Sequence, residues 1–254
     1  MKLYANQWGQ GQDVISLHGL FGSQQNLGTL NRSLAKEFRV HGLDVRNHGR
    51  SPHSDEMNYK LMAQDVIEYF DDRELHTVDL LAHSMGGKIA MTIALLVPER
   101  IRKLVVMDIA PVEYDHKCDD VLDGLSAIDL DAIKKRSDAD TMLAPFVQNS
   151  DIRLFLLKNL YRDKNGSYQW LFNLKSIQEN YYEIVKSPSS DQVFEGDTLF
   201  LKGEDSYYIL PEHEGAVLSL FPNATVEVVL GAGHWLHAQQ PEMVFNSINK
   251  FLKS

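Results

Sequence analysis

Cysteine is almost missing from this chain. Cys118 stands alone among 254 residues, so no disulfide can form within the chain and nothing in it calls for an oxidising compartment. Long apolar runs are missing as well: no stretch is long enough to span a bilayer, and residues 1–8 lack the unbroken apolar core of a signal peptide. A cytoplasmic location is therefore the expectation. Positive charge is scarce, with 25 Lys and Arg against 35 Asp and Glu and a formal net charge of -10, which argues against a nucleic-acid backbone or an anionic membrane as the main partner. There is no internal repeat and no low-complexity tract. With 44% hydrophobic and 24% charged residues, the chain has the make-up of an ordered protein, long enough for one α/β domain with an insertion.

What the chain does contain is alternation. Short apolar runs at 13–17, 38–45, 77–82, 103–108, 198–202 and 225–230 are separated by longer helical patterns, which is how a parallel sheet with crossover helices looks in sequence. Residues 59–70 follow Asn58 as a helix cap, residues 85–96 form a helix ending before Pro98, and a last helix opens with Pro241 in its first turn. From 111 to 188 the alternation stops. Apolar residues at spacings of three and four over 152–161 and 170–184 predict an all-helical insertion, a cap lying over the carboxyl edge of the sheet where open α/β sheets bind ligands. Residues 1–110 and 189–254 then form the core and 111–188 the cap. Phe146, Phe155, Trp170 and Phe172 read first as the cap's own core, with some of them facing the pocket beneath.

The run Leu80-Leu81-Ala82-His83-Ser84-Met85-Gly86-Gly87 carries chemistry. An apolar strand halts at a serine between small residues and turns directly into a helix, the layout of a nucleophile elbow. Ala82 departs mildly from the glycine usual at that place. A serine hydroxyl is a weak nucleophile at neutral pH and needs a base, which in turn needs an orienting acid. Gly231-Ala232-Gly233-His234-Trp235, after the strand at 225–230, offers His234 as the base. After the first strand, His18-Gly19-Leu20-Phe21-Gly22-Ser23 resembles a loop that supplies an oxyanion-hole amide, so the candidate donors are the backbone N–H groups of Met85 and Leu20, with Phe21 as the alternative to Leu20. His18 is expected to shape that loop.

Two carboxylates compete for the acid. Asp108 ends the apolar run 103–108, where an unpaired charge is costly and a histidine partner would relieve it; a turn-capping role is the plainer reading. Asp205 lies one residue short of the position after Gly203 where the acid commonly falls, a position filled here by Ser206. Asp108 is the preferred candidate and Asp205 the alternative. Residues 46–51 read as a polar scaffold turn. His234 and His237, three apart, lack a third ligand at fitting spacing, as does His116 with Cys118, so no metal site is expected.

Taken together, these motifs resemble the α/β-hydrolase-fold serine esterases. The pairing of residues 18–23 with Asp44-Val45-Arg46-Asn47-His48-Gly49-Arg50-Ser51 is close to a subgroup of small bacterial esterases related to abhydrolase domain-containing protein 11. The resemblance implies a mostly parallel eight-stranded sheet flanked by helices, with the cap after strand 6. It also implies a cofactor-free carboxylesterase or thioesterase, with acyl-CoA among its substrates, and absence of the usual acid after the seventh strand, in line with Ser206. The basic groups Lys134, Lys135, Arg136, Arg153, Lys158 and Arg162 could hold the phosphates of such a carrier or form a solvated helix face. A carbon-carbon bond hydrolase, a cofactor-free haloperoxidase and a non-catalytic binding protein are the other readings this fold allows; an aspartate-nucleophile enzyme is disfavoured by Ser84. Oligomeric state is not legible.

Overall fold

A computed structural model describes residues 1–115 and 119–254. His116 and Cys118 lie outside the described residues. The chain opens with β1 (Ala5–Trp8), β2 (Asp13–Leu17), α1 (Gly28–Leu34) and β3 (Arg39–Leu43). There follow α2 (Tyr59–Asp72), β4 (Val78–His83), α3 (Met85–Leu96) and β5 (Ile101–Met107). The insertion holds α4 (Asp119–Ser126), α5 (Arg136–Leu143), α6 (Ser150–Leu157), β6 (Leu160–Arg162), β7 (Tyr168–Trp170), α7 (Leu174–Glu179) and α8 (Tyr181–Val185). Then β8 (Asp197–Gly203), α9 (Glu214–Leu220), β9 (Ala224–Val229), α10 (Leu236–Gln239) and α11 (Pro241–Lys253) complete the chain.

One seven-stranded sheet in the order β1-β3-β2-β4-β5-β8-β9 organises the molecule. All its pairings are parallel except β1 with β3. Both faces are covered, so the central strands are apolar on alternate sides: Leu80, Ala82, Leu104 and Val106 pack with α2 and α3, while Leu81, Val105 and Met107 pack with α1 and α11. The order of strands reverses between β2 and β4, which opens a crevice at their carboxyl ends.

Two expectations need correction. The sheet has seven strands rather than eight, and the insertion follows the fifth of them. Six were signalled by apolar runs. The seventh, β1, is a polar edge strand (Ala5-Asn6-Gln7-Trp8) with no such run, as exposed edges require. The insertion, moreover, is not all helical. Its β6 and β7 form an antiparallel hairpin pairing Leu160 with Trp170 and Arg162 with Tyr168. Leu156, Leu157 and Leu160 extend the helical spacing of α6 into β6, which hides the strand; Asn165-Gly166, with Gly166 at φ +87°, is the hairpin signal that contradicts it.

Candidate active site

Strand register brings the candidate residues to one edge. His83 of β4 is aligned with Met107 of β5 and Met107 with Leu201 of β8, so Ser84 and Asp108 sit at the tips of neighbouring strands. Leu17 of β2 is aligned with Ala82, placing the loop 18–23 on the other side of Ser84. His234 arrives on the loop after β9. Residues far apart in the chain thus meet because parallel strands end together.

The turn at Ser84 is strained in the way an elbow requires. Ser84 has φ 54° and ψ -123°, and its N–H donates to Met107 O at 2.9 Å. A non-glycine residue keeps a positive φ only when its surroundings hold it. Close packing explains the small neighbours: a Cβ on Gly86 would lie 2.5 Å from His18 O and 2.7 Å from Leu17 O. Ala82 fits with its side chain fully buried in the sheet.

The His234 ring joins the other two groups. Its Nε2 lies 3.1 Å from Ser84 Oγ and its Nδ1 2.8 Å from Asp108 Oδ2. A carboxylate can only accept, so Nδ1 carries the proton and Nε2 is left as acceptor for the serine. Asp108 is wholly buried at φ 54°. Its Oδ1 accepts the Gly203 N–H at 3.0 Å, and its Oδ2 also accepts the Ser206 hydroxyl. Three donors therefore fix the position of the carboxylate. Gly203 cannot be larger, because a Cβ there would meet Gly233 O at 2.3 Å. Asp205, the other candidate, is exposed, and its N–H donates to Ala232 O. The structure does not bring its carboxylate into this line.

The loop after β2 presents its amides differently from one residue to the next. Phe21 N–H donates to His48 Nε2 at 3.1 Å and is thereby occupied. Gly19 O accepts from His18 Nδ1 at 2.8 Å and from Gly22 N at 3.0 Å. The peptide is trans and planar, so the Leu20 N–H is turned the opposite way. Neither Leu20 N–H nor Met85 N–H, the latter in the first turn of α3, has a protein acceptor among the described residues. His18 Nε2 accepts the Val45 N–H, which fixes that ring as a neutral spacer.

Several contributors are not evident from sequence. His83 Nε2 donates to the His234 carbonyl at 2.8 Å, and its ring lies 4.7 Å from that of His234. Burial, with His237 and His234 nearby, holds the His83 pKa well below the ordinary value. Tyr208 lies over the His234 ring at 4.2 Å. The turn 46–51 does more than scaffold the core: His48 holds Phe21, and Asn47 Nδ2 donates to Ser176 Oγ of the insertion. Of the four aromatics read as cap core, Phe172 meets Phe21 edge-on at 5.3 Å and Trp170 stacks on Phe172, whereas Phe155 packs on Trp235. Phe146 is exposed.

The family model for the alpha/beta hydrolase fold matches residues 14–241. The chain belongs to this family. Esterase YbfF of Escherichia coli is 35% identical over 94% of this α/β hydrolase and 92% of its own length. The sn-1-specific diacylglycerol lipase ABHD11 of Xenopus laevis is 36% identical over 96% of the chain and 80% of its own. Among solved structures, a marine microorganism esterase superposes with TM-score 0.95 at 38% identity, covering 98% of this chain and 99% of that one.

The basic groups of this α/β hydrolase divide in two. Arg153 is taken up inside the insertion by Asp140, at 2.8 Å, and by the carbonyls of Val147 and Gln148. Arg136 and Arg162 instead link the two basic stretches, donating to Leu160 O and Lys134 O respectively. Lys134, Lys135, Arg136 and Arg162 so form one exposed patch beside the β6–β7 hairpin. No group of three or more potential metal ligands gathers among the described residues, and no helix there is long and apolar enough to cross a membrane.

Proposed function

We propose that the chain is a serine hydrolase of carboxylic esters or thioesters acting through an acyl-enzyme on Ser84. The observation that carries this reading is the unbroken line Ser84 Oγ, His234 Nε2, His234 Nδ1, Asp108 Oδ2, ending beside two unengaged amides. In the proposed reaction His234 takes the hydroxyl proton as Ser84 Oγ bonds to the acyl carbon. The carbonyl oxygen becomes an oxyanion, and the N–H groups of Leu20 and Met85 stabilise it. His234 then gives the proton to the departing alcohol or thiol, and water reverses the sequence to release the acid. The esterase and lipase names of the relatives agree with this class. The insertion serves as the cap over the site, and a cytoplasmic setting belongs to the same proposal.

Fluorophosphonate labelling tests it. The wild type is expected to label and the Ser84→Ala variant not to; a folded wild type that stays unlabelled would overturn the reading in favour of a binding protein. A carbon-carbon bond hydrolase would label but leave a short nitrophenyl ester uncleaved.

Acyl-CoA is the finer proposal, supported by the patch at Lys134, Lys135, Arg136 and Arg162 in a chain of net charge -10. Exposed charges act within about 10 Å at 0.1 M salt. Raising salt is therefore expected to increase KM for an acyl-CoA severalfold and leave KM for an uncharged short ester unchanged. Equal sensitivity of the two substrates would remove the patch from substrate binding.

A further inference from the structure

We infer that the insertion completes the oxyanion hole: Asn159, by holding the Phe21 carbonyl, and Phe172, by seating the Phe21 ring, are positioning residues for the Leu20 N–H. This rests on the serine-hydrolase reading above and goes beyond it, because it gives the cap a part in forming the catalytic geometry as well as in covering it.

Phe21 is the reason such help is needed. It is buried at φ 58°, in the left-handed region that bulky residues avoid. Left alone it would relax towards negative φ. That movement would rotate the peptides on both sides. Because the Gly22 N–H of the second one donates to Gly19 O at 3.0 Å, it would turn the Gly19–Leu20 peptide with it and carry the Leu20 N–H away from the carbonyl oxygen it is to meet. The core supplies one restraint, the His48 Nε2 that accepts the Phe21 N–H. The insertion supplies the other two. Asn159 Nδ2 donates to Phe21 O at 2.7 Å across 138 residues of sequence, and Phe172 packs edge-on against the ring at 5.3 Å.

Asn159 is itself fixed. It is 4% exposed and sits between the end of α6 and the start of β6. Its N–H donates to Leu156 O at 3.1 Å, its carbonyl accepts Leu171 N–H at 2.9 Å, and its side chain makes a second, longer bond to Leu156 O at 3.2 Å. Main-chain bonds thus hold the residue within the insertion, and the shorter bond of its amide reaches out to the loop. Phe172, backed by the parallel ring of Trp170 at 5.1 Å, is similarly braced.

Oxyanion donors act only when aimed at the position of the developing charge, and a shift of about 1 Å costs on the order of 100-fold in rate. Asn159→Ala is therefore expected to lower kcat on a short nitrophenyl ester about 30-fold with KM little changed. The affinity of a trifluoromethyl ketone, which forms a tetrahedral oxyanion adduct, should fall by the same factor, while inhibition by the product acid stays as in the wild type. The pH dependence of kcat should keep its shape, since His234 is untouched. Phe172→Leu is expected to give a smaller loss with the same signature, and it decides the matter if Asn159→Ala does not fold. Phe21→Gly provides the converse: glycine takes a positive φ unaided, so adding Asn159→Ala in that background should cost less than about threefold.

Unchanged ketone affinity in a folded Asn159→Ala or Phe172→Leu variant overturns the inference, as does an equal loss in the Phe21→Gly background. A wild type that neither labels nor turns over overturns the hydrolase reading instead, and this inference with it. A labelled, active wild type beside an unaffected Asn159→Ala variant overturns this inference alone.

Discussion

Replacing Asp108 with Asn is expected to lower kcat by about 10⁴-fold while the protein stays folded. The backbone favours the replacement, because Asn is among the residues that best tolerate the positive φ of 54° found at this position. The Asn carbonyl oxygen can still accept the Gly203 N–H. The NH₂ group, however, comes to lie where Oδ2 accepted from Ser206 and from His234 Nδ1. The Ser206 hydroxyl can turn and accept. His234 Nδ1 must then accept as well, which moves the ring proton to Nε2 and leaves nothing to receive the Ser84 proton. The loss therefore falls on kcat, and substrate binding is spared. Asp205→Asn, changing an exposed residue outside this line, should leave kcat within about twofold. A collapse of turnover in Asp205→Asn with none in Asp108→Asn would reverse the assignment. Stopped-flow acylation with a nitrophenyl ester reads both variants directly.

These residues were legible to different degrees because sequence shows local pattern better than meeting points. Ser84 is announced by its elbow and His234 by glycines after the last strand. Asp108 is visible as a carboxylate closing an apolar run. Ser206, by contrast, reads as an acid position filled by the wrong residue, and only the folded chain shows it donating to Asp108 across 98 residues. His83 is masked by its position beside the nucleophile, where a neighbour looks incidental; its partner is the main chain of His234, 151 residues on. Asn159 carries no signal at all, since a lone asparagine in a helical stretch reads as a cap or a surface residue. The basic residues fail in another way. Arg153 shares the composition of the substrate-facing candidates, but Asp140 and two carbonyls already occupy its guanidinium.

A steep loss of stability between pH 6.5 and 4 is the second large effect expected, and it arises from histidines built into the loops around the site. His18 and His48 are buried, each with one ring nitrogen donating to a carbonyl and the other accepting a backbone N–H. Neither nitrogen has room for a further proton. Burial lowers the His18 pKa to about 4; burial, with His18 as a neighbour, lowers that of His48 to about 3. Their ordinary value is 6.5. As pH falls below that value the unfolded chain takes up protons that the folded chain refuses, so stability drops with pH until the folded pKa values are reached and then levels off. At about 1.4 kcal/mol per pH unit, His18 alone contributes on the order of 3 kcal/mol over this window. Its ring is 5.2 Å from that of His48, so the two contributions are coupled and do not simply add. Asp79 acts in the opposite sense: burial raises its pKa to about 6 despite the Arg102 partner, which offsets part of the loss between pH 6 and 4. Lys88, lowered to about 7 by burial, is charged in both states below that pH and adds no slope there. Against a total stability of about 5–15 kcal/mol for a domain, the net histidine effect is a substantial fraction, so the urea midpoint should fall clearly between pH 6.5 and 4. Urea unfolding at pH 7, 6, 5 and 4 measures it. His48→Gln should be less stable at pH 7 yet show a shallower decline, because the group that refuses the proton is gone. A wild type whose stability is level from pH 7 to 4.5, or a His48→Gln variant with an unaltered slope, would mean that these histidines accept protons in the folded state after all.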